Sequence, residues 1–378
     1  MVTYDLYLAA MHYSVWYLII IVLALVFGTF GKTTRKNRRA FLFCVLTIMF
    51  VLMAFRNVNM GSDTKRYVVM FDRIKESTNP FDYISNSSVE SGYVLYCWLL
   101  SRIVPNARIL FVVSAFIIVF SIGRFADKHI DNLGVFFSLF VGTLLFDSFL
   151  SLARNALSIA VFLFAVDALI ERKPWKYYLL CLLAFSFHNT AVIYFIIYPI
   201  CSPQLLKKHY TLILNIFMIG IAFVCGILFQ PMLEMFFNMF PKYQYYIGTA
   251  NLDGKTRVAG LLQIAVCILL IVVPKVVYKY PAHDWRLDGF GRKMAMFNLL
   301  VMVVAISATA FMRIAIVLNI YTLMQFSNEV GRMKRGSTNK LLLIPCALAA
   351  FFLYGLVVVV FRTPEWQTTY PINLSWAL

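Results

Sequence analysis

The sequence predicts an all-α polytopic membrane protein with about 12 transmembrane segments. Of its 378 residues, 61% are hydrophobic and only 13% are charged. A soluble domain is about half apolar and roughly a quarter charged, and a chain of this size could not bury so much apolar surface without lipid. The net charge of +17 fits the same class, because membrane proteins concentrate Lys and Arg in cytoplasmic loops. The charge therefore gives no support to a nucleic-acid partner.

Apolar runs suited to transmembrane helices recur along the whole chain, which forms a single membrane domain over residues 1–378. A span needs ~20 apolar residues, with some latitude. We predict spans near 13–31, 40–55, 108–123, 133–150, 155–170, 210–230, 258–274, 294–311, 312–327 and 341–361. The N-terminal run lacks the basic start of a signal peptide, so we expect it to be retained as a helix.

Two further apolar segments do not have the pattern of ordinary spans. Residues 92–104 would form a helix of roughly 20 Å, against a hydrocarbon core of ~30 Å, so we predict a re-entrant or interfacial segment. Residues 177–201 are interrupted by His188-Asn189-Thr190. Polar groups at mid-membrane are costly unless they face a cavity or a partner. The alternatives for 177–201 are one long helix or a broken helical hairpin.

Basic residues in the loops distinguish these alternatives. The first 15 residues contain no Lys or Arg, so we place the N-terminus outside. Three basic loops then lie inside, at 31–39, 124–132 and 171–176. A hairpin also keeps the basic loops 275–293 and 328–340 inside, whereas a single span would move them outside, against the positive-inside rule. We therefore predict the hairpin, with both termini outside and two outer loops at 56–91 and 231–257.

Isolated polar residues gather at the outer face of this predicted topology. They are Arg56, Asp63, Glu90, Asp147, Arg154, His188 and Arg313. Arg154 and Arg313 stand between apolar helices with little loop around them, where a charge costs up to ~2.5–3.5 kcal/mol at mid-bilayer. The planar fork of Arg suits phosphate, and two forks suit a pyrophosphate. The competing interpretation is that each Arg reaches the lipid head groups.

Two of these residues have equally simple structural interpretations. A lone His in an apolar segment, such as His188, is more often a hydrogen-bonded structural residue. Asp147 lies near Arg154 in the sequence, so an ion pair between them would offset the cost of burying both. At the inner end of the predicted span 155–170, Asp167 and Glu171 also have the character of structural residues.

The first outer loop carries the most specific pattern. Its residues Arg56, Gly61, Asp63, Thr64 and Tyr67 form the motif R-x4-G-x-D-T-x2-Y, and residues 90–93 follow as E-x-G-Y. These motifs resemble those of the EpsG-like family of polysaccharide polymerases, relatives of the Wzy polymerases. Gly61 would let the loop turn tightly before Asp63.

The resemblance extends over residues 56 to about 371. Arg154-Asn155 resembles the family's Arg-Gln pair, with Asn as a departure, and Phe187-His188-Asn189 resembles its F-H-x element. Arg313 and Tyr370-Pro371 fall where the family carries an Arg and an outer Y-P element. The departure at Asn155 leaves the role of that position open.

The resemblance implies a glycosyl transfer on the outer face of the bacterial cytoplasmic membrane. An undecaprenyl-pyrophosphate-linked glycan would be the donor, and a second lipid-linked repeat unit would be the acceptor. The product would be an O-antigen, a capsule or an exopolysaccharide. A GT-C-like glycosyltransferase architecture is implied as well, with no cofactor and no metal. Expected partners are membrane lipid, a chain-length regulator and a flippase.

The chemistry of the residues agrees with such a reaction. Negative charge grows on the leaving pyrophosphate, and Arg154 and Arg313 could stabilise it. The base that takes the acceptor hydroxyl proton would be Asp63, Glu90 or His188, of which Asp63 and His188 are favoured and are not ranked against each other. The remaining candidates for substrate binding are Arg56, Tyr67 and Asn155.

Other classes of membrane protein share parts of this pattern. A transporter or flippase for lipid-linked glycans would use the same Arg residues, but it would need polar residues through the depth of the membrane. A membrane O-acyltransferase would also use an intramembrane His, with an inward route for acyl-CoA. A structural or sensor protein would need no reactive cluster at all.

Overall fold

A computed structural model shows the architecture of the chain. It describes residues 2–201, 257–277, 285–305, 312–333, 337–362 and 368–376, together with isolated residues at 220, 235 and 238. The predicted span at 210–230 and the predicted outer loop at 231–257 lie almost wholly outside the described residues.

Helices form nearly all of the described chain. In chain order they are α1 (Val2–Val26), α2 (Arg35–Ala54), α3 (Thr64–Glu76), α4 (Pro80–Asn86), α5 (Ser91–Ile103), α6 (Arg108–His129), α7 (Leu133–Gly142), α8 (Leu145–Ser151), α9 (Ala153–Ile170), α10 (Pro174–Phe187), α11 (Tyr194–Cys201), α12 (Arg257–Val277), α13 (Trp285–Ala305), α14 (Met312–Arg332) and α15 (Thr338–Arg362). A short 3-10 helix, Asn189–Ile193, joins α10 to α11.

Several of these helices begin at a polar cap that the sequence supplies. The Thr34 hydroxyl accepts a hydrogen bond from the backbone N of Asn37 at 3.2 Å, and the Asn132 side chain accepts one from Val135 at 3.0 Å. Asn79 caps α4 in the same way and is followed by Pro80. Each cap satisfies a backbone donor that the first helical turn leaves free.

The described residues contain five helices that are long and apolar enough to cross a membrane. They are Asp5–Val26 within α1, α2, α6, α9 and α15. Helices α7 and α8 are bent relative to each other, but together they are also long and apolar enough to cross a membrane, which would make a sixth span. This architecture agrees with the predicted all-α polytopic membrane protein. The predicted total of about 12 spans and the GT-C-like arrangement stay predictions.

The outer surfaces of the first and last of these helices are apolar. Leu18, Val22 and Leu25 of α1 are exposed, as are Leu353 and Phe361 of α15. Soluble monomers rarely expose contiguous apolar surface of this kind, so it is the surface that lipid would cover.

The two ends of the chain pack side by side through α1, α7 and α15. The Tyr17 hydroxyl donates to the carbonyl of Leu348 at 2.8 Å, and the Tyr13 hydroxyl donates to that of Phe351 at 3.3 Å. A Cβ at Gly355 would lie 2.8 Å from the carbonyl oxygen of Gly142, so the two helices approach closely there. This packing brings the C-terminal residues to the α1 side of the molecule.

The region predicted as one span at 133–150 is broken in the structure. Helices α7 and α8 meet at an angle of 63°, and Leu144 between them has a left-handed backbone with φ 57. A non-glycine residue rarely adopts this conformation, so the surrounding packing imposes it. The sequence did not predict this bend, because neither a Pro nor a turn motif announces it, and the two helices together are still long and apolar enough for one broken span. The bend directs Ser151 toward the loop between α2 and α3, where a Cβ added to Gly61 would lie 3.4 Å from the Cα of Ser151.

The chain folds back on itself between 177 and 201. Helix α10 ends at Phe187, His188 is extended, and α11 returns beside α10. The Tyr177 hydroxyl donates to the carbonyl of Tyr194 at 2.5 Å, and the rings of Tyr177 and Tyr198 are 5.0 Å apart. His188 therefore lies at the tip of the fold-back, at the break that the sequence placed there.

Two further regions bear on the predicted topology. Helix α5 covers 13 residues, with Leu99 and Ile103 exposed, and its re-entrant or interfacial placement stays a prediction. Near the C-terminal end of α9, Asp167 forms ion pairs with Arg124 and Lys128 and a hydrogen bond with Nε2 of His129. This cluster joins α6 to α9, a structural role of the kind expected for Asp167.

Candidate active site

One pocket gathers side chains from four distant parts of the chain. Its lining residues are Asp63, Tyr67, Leu152, Arg154, Asn155, His188 and Arg313. They come from the start of α3, the start of α9, the break after α10 and the start of α14. Most of the residues that the sequence singled out thus meet in space. Glu90 lies directly behind the pocket, and Arg56 lies apart from it.

A tight turn at Gly61 delivers Asp63 to the pocket. Gly61 has φ 92, a left-handed conformation that glycine adopts without strain. Its backbone N donates to the carbonyl of Thr368 at 3.0 Å, and its carbonyl accepts from the backbone N of Thr64 at 3.1 Å. Asp63 follows as the half-buried residue before α3, with Oδ2 3.5 Å from the Tyr67 hydroxyl. The turn that the sequence predicted at Gly61 is present.

Arg56 stabilises this loop through buried hydrogen bonds. Its side chain is buried, with Nε donating to the Thr64 hydroxyl at 3.1 Å and Nη1 donating to the carbonyl of Met53 at 2.8 Å. The guanidinium also lies 4.2 Å from the ring centroid of Phe111. Burial lowers the pKa of Arg56 to about 9. These contacts favour a structural role, and Arg56 does not line the pocket where the sequence placed it as a binding residue.

Glu90 joins two of the pocket's functional side chains. Its Oε1 accepts from His188 Nδ1 at 3.0 Å and from the backbone N of Asn189 at 3.1 Å, while Oε2 accepts from Arg154 Nη1 at 2.6 Å. Burial alone would raise the pKa of Glu90, but the hydrogen bond from His188 and the charge of Arg154 outweigh it and hold the pKa at about 2. Glu90 is therefore ionised and accepts three hydrogen bonds.

This geometry fixes the tautomer of His188. An ionised carboxylate can only accept, so Nδ1 of His188 must carry the proton that it shares with Glu90. The other ring nitrogen, Nε2, has no hydrogen-bond partner among the described residues. In the neutral imidazole Nε2 has a free lone pair, and His188 lines the pocket. A histidine held by a carboxylate in this way has the arrangement of a general base.

The pH dependence of the Glu90 interactions follows from its lowered pKa. A carboxyl group with a lowered folded-state pKa stabilises the fold above its usual pKa of 4.5 and loses that contribution as the pH falls toward about 2. We therefore expect wild type to be more thermostable than Glu90→Gln at pH 7, with the difference shrinking between pH 4.5 and 2. Thermal unfolding of both proteins across this range measures the effect. An undiminished difference at the acid end would contradict it.

Arg154 is held by aromatic rings as well as by Glu90. Its guanidinium carbon lies 6.0 Å from the ring centroid of Tyr67 and 5.7 Å from that of Tyr93. The proposed ion pair between Arg154 and Asp147 is not formed. Asp147 is fully buried, and neither of its carboxylate oxygens has a hydrogen-bond partner among the described residues. Tyr93 belongs to the E-x-G-Y motif, but no sequence pattern predicted that its ring would lie against Arg154.

Arg313 differs from Arg154 in having no ion-pair partner in the described part of the chain. Asn155 fixes its backbone, because the Asn155 side-chain Nδ2 donates to the carbonyl of Arg313 at 3.2 Å. The Thr190 hydroxyl in turn donates to Asn155 Oδ1 at 3.3 Å. Asn155 thus connects α9, the 3-10 helix and α14, and its amide is engaged with protein groups. Thr190 was not among the predicted site residues, although it belongs to the His-Asn-Thr break.

Gly92 allows α5 to approach α10 closely enough for Glu90 to reach His188. A Cβ at this position would lie 2.6 Å from the Cβ of Ser186 and 2.8 Å from its carbonyl oxygen. The backbone of α10 cannot yield cheaply, so the start of α5 would have to move.

We expect Gly92→Ala to reduce stability by about 1–3 kcal/mol and to separate Glu90 from His188. Thermal unfolding of the purified protein measures the loss. Gly31→Ala is the matched control, because nothing lies within 4 Å of the Cβ it would add. Equal stability of the two variants would show that α5 and α10 have room for a methyl group at Gly92.

The fold and this pocket define a helical membrane protein whose polar site is built from helix ends and one loop. Among the described residues, no group of three or more His, Cys, Asp or Glu is placed to hold a metal ion. The family model of the EpsG family matches residues 39–374, which include every residue of the pocket. The chain therefore belongs to the EpsG family, which is assigned to polysaccharide polymerisation and resembles the Wzy polymerases. Comparison with curated proteins and with solved structures finds no match.

Proposed function

We propose that the protein joins lipid-linked oligosaccharide repeat units into a cell-envelope polysaccharide on the outer face of the cytoplasmic membrane. Family membership supports the class of reaction. The observation that carries the proposal is the meeting, in one pocket, of a His–Glu pair and a guanidinium that has no ion-pair partner among the residues that the structure describes. The donor would be an undecaprenyl-pyrophosphate-linked glycan, and the acceptor would be a second lipid-linked repeat unit.

Arg313 is the residue best suited to bind the pyrophosphate of the donor. It lines the pocket and has no carboxylate partner among the described residues. Arg154 also lines the pocket, but its ion pair with Glu90 offsets its charge. We therefore assign the stronger phosphate contact to Arg313. Arg154 orients Glu90 and contributes more weakly to stabilising the leaving group.

The bond changes can be written with these residues. The bond between the donor's anomeric carbon and the pyrophosphate oxygen breaks, and its electrons leave with the pyrophosphate beside Arg313. An acceptor hydroxyl oxygen bonds to the same carbon, and its proton passes to Nε2 of His188. Glu90 acts as a positioning residue, since it stabilises the imidazolium that forms. Asp63 accepts hydrogen bonds from the acceptor sugar and is the alternative base.

A second candidate function rests on a different observation. Polar side chains recur along α14 from the pocket toward its far end, and several are buried and bonded to one another. Asn298 donates to Asn319 at 2.8 Å and to Thr322 at 3.0 Å, and Gln325 donates to Glu329 at 2.7 Å. Such a row at membrane depth is what a transporter of lipid-linked glycans would need. Interhelical hydrogen bonding between α13 and α14 explains much of it equally well.

An assay with purified protein in sealed vesicles separates the two functions. The vesicles contain undecaprenyl-pyrophosphate-linked repeat units and no nucleotide sugar. A polymerase gives a ladder of lipid-linked glycans that differ by one repeat unit. Movement of the lipid-linked glycan between leaflets without any ladder would instead identify a transporter and reject the proposed function.

The outward orientation of the pocket is a separate prediction. We expect a cysteine at Lys65 to react with an impermeant thiol reagent in intact cells, and one at Lys36 to react only after lysis. The reason is the asymmetry of basic loops, and both positions are exposed. The measurement needs a background without the seven native cysteines. Labelling of position 65 only from the cytoplasmic side would show that the predicted topology is inverted.

A further inference from the structure

A closed ring of hydrogen bonds joins Glu90, the start of α9 and the break after α10. Glu90 Oε1 accepts from the backbone N of Asn189 at 3.1 Å, and Glu90 Oε2 accepts from Arg154 Nη1 at 2.6 Å. The residue that follows each of these two donors completes the ring, because the Thr190 hydroxyl donates to Asn155 Oδ1 at 3.3 Å. The break and the start of α9 are therefore connected twice, once through Glu90 and once directly.

The amide of Asn155 has one orientation that suits both of its neighbours. The carbonyl of Arg313 can only accept, so the amide nitrogen of Asn155 must face it, at a distance of 3.2 Å. The amide oxygen then faces Thr190, whose hydroxyl is the donor. Asn155 is buried, so an amide that lost one of these partners would not readily regain a hydrogen bond from bulk water.

Through this amide the ring of hydrogen bonds reaches Arg313. Arg313 is the second residue of α14, and its guanidinium lines the pocket together with His188. The same ring holds His188, because its Nδ1 donates to Glu90 Oε1 at 3.0 Å. One set of hydrogen bonds thus fixes the backbone of the proposed phosphate ligand and the imidazole of the proposed base.

The proposed reaction leaves the two central side chains of this ring without a role. The sequence placed Asn155 among the substrate-binding residues, and it does line the pocket, but its amide is bonded to protein groups. Thr190 lies outside the pocket lining. An effect of the Thr190 hydroxyl on the reaction would therefore pass through Asn155.

We propose that Asn155 and Thr190 are positioning residues that fix the separation of Arg313 and His188. The catalytic consequence rests on the proposed function, whereas the structural consequence does not. Arg313 faces the leaving pyrophosphate and His188 takes the proton of the incoming hydroxyl, so the two side chains act on opposite sides of one anomeric carbon. A displacement of about 1 Å in such a geometry can slow a reaction by about 100-fold.

The structural test measures how firmly the start of α14 is held. In the full-length chain without native cysteines, Ala315→Cys places a thiol in α14 where the side chain is 1% exposed, and Ala126→Cys places one in α6 where it is fully buried. Asn155→Leu keeps nearly the shape of Asn and removes its donor and its acceptor. We expect it to speed labelling at 315 about tenfold, with labelling at 126 unchanged. Unchanged labelling at 315, or equal acceleration at both positions, would overturn the proposal.

The hydroxyl of Thr190 gives an independent measurement. Thr190→Val keeps the branched shape and should speed labelling at 315 about threefold, because the Asn155 amide is then free to turn. Thr190→Ser keeps the hydroxyl and should recover most of this change, a comparison that leaves the buried Asn155 untouched. In the Asn155→Leu background Thr190→Val should add little, since its acceptor is already gone. Simple multiplication of the two effects would show that Thr190 does not act through Asn155 and would overturn its assignment.

The catalytic test distinguishes positioning of Arg313 from direct binding of substrate by Asn155. We expect the inhibition constant for inorganic pyrophosphate in the polymerisation assay to rise about fivefold in Asn155→Leu and about twofold in Thr190→Val, with most of the latter change recovered in Thr190→Ser. A raised constant in Asn155→Leu with a wild-type value in Thr190→Val would make Asn155 a substrate contact and overturn the positioning role. If wild type makes no polymer, the proposed function fails, and the labelling results still decide whether Asn155 and Thr190 hold α14.

Discussion

Replacement of His188 by Gln is expected to lower the rate of polymerisation by roughly 10²–10⁴-fold, the usual contribution of a general base. Gln preserves a hydrogen bond to Glu90 but has no atom that takes a proton at neutral pH. Nδ1 of His188 is bonded to Glu90 at 3.0 Å and Nε2 has no described partner, which is the arrangement that the proposed proton transfer needs. The measurement is elongation of purified lipid-linked repeat units at saturating substrate.

Two further variants rank the competing bases. Asp63→Asn should cost about tenfold, since it weakens a hydrogen bond to the acceptor sugar without removing the base. Glu90→Gln should fall between the two, because the imidazole remains but loses its negatively charged partner. Complete loss of polymer in Asp63→Asn, with activity retained in His188→Gln, would exchange the roles of the two residues. Thermal unfolding of each variant checks that the fold is intact.

Local sequence patterns predicted the parts of the site that depend on local chemistry. The glycine in the first loop predicted a tight turn, and Gly61 has φ 92. The polar interruption of an apolar run predicted the break at His188, where α10 ends. In both cases a few neighbouring residues fix the backbone, because glycine permits a left-handed turn and polar groups cannot remain unsatisfied in an apolar helix.

Partners distant in the chain could not be predicted in the same way. Asp147 looked closer to Arg154 than Glu90 did, because it lies seven residues before Arg154 in the chain, whereas Glu90 lies 64 residues away. In the structure Asp147 is buried in α8, and Glu90, just before α5, accepts the hydrogen bond from Arg154. Arg56 belongs to the same motif as Asp63, yet its burial depends on Phe111 in α6. Only the packing of distant helices distinguishes a buried support from a pocket residue.

The number of spans shows the same limit. Apolar runs indicate helices, but several described helices are too short to cross a bilayer, and α7 and α8 form a bent pair. Helix α5 covers 13 residues, and α11 follows a 3-10 segment rather than a full helix. Composition alone therefore identifies the membrane class more securely than it counts crossings.

Replacement of Arg313 by Lys is expected to slow polymerisation by roughly one to two orders of magnitude, because one charge-assisted bond contributes ~1.5–3 kcal/mol. Lys keeps the positive charge and can still reach the head groups, but it lacks the planar fork that grips two phosphate oxygens. Inorganic pyrophosphate should inhibit wild type, and the inhibition constant should rise about tenfold in Arg313→Lys. Initial rates with and without pyrophosphate give both quantities.

The behaviour of Arg154→Lys separates phosphate binding from a general loss of structure. Arg154 is bonded to Glu90 at 2.6 Å and flanked by Tyr67 and Tyr93, so its replacement should lower kcat through His188 with a smaller change in pyrophosphate inhibition. Arg66→Lys is the matched surface control, since Arg66 is exposed on α3, and it should leave both quantities near wild type. Equal pyrophosphate inhibition in wild type and Arg313→Lys, together with near-normal rates, would return Arg313 to a lipid head-group contact. The leaving group would then need Arg154 as its cation, because no other guanidinium lines the pocket in the described part of the chain.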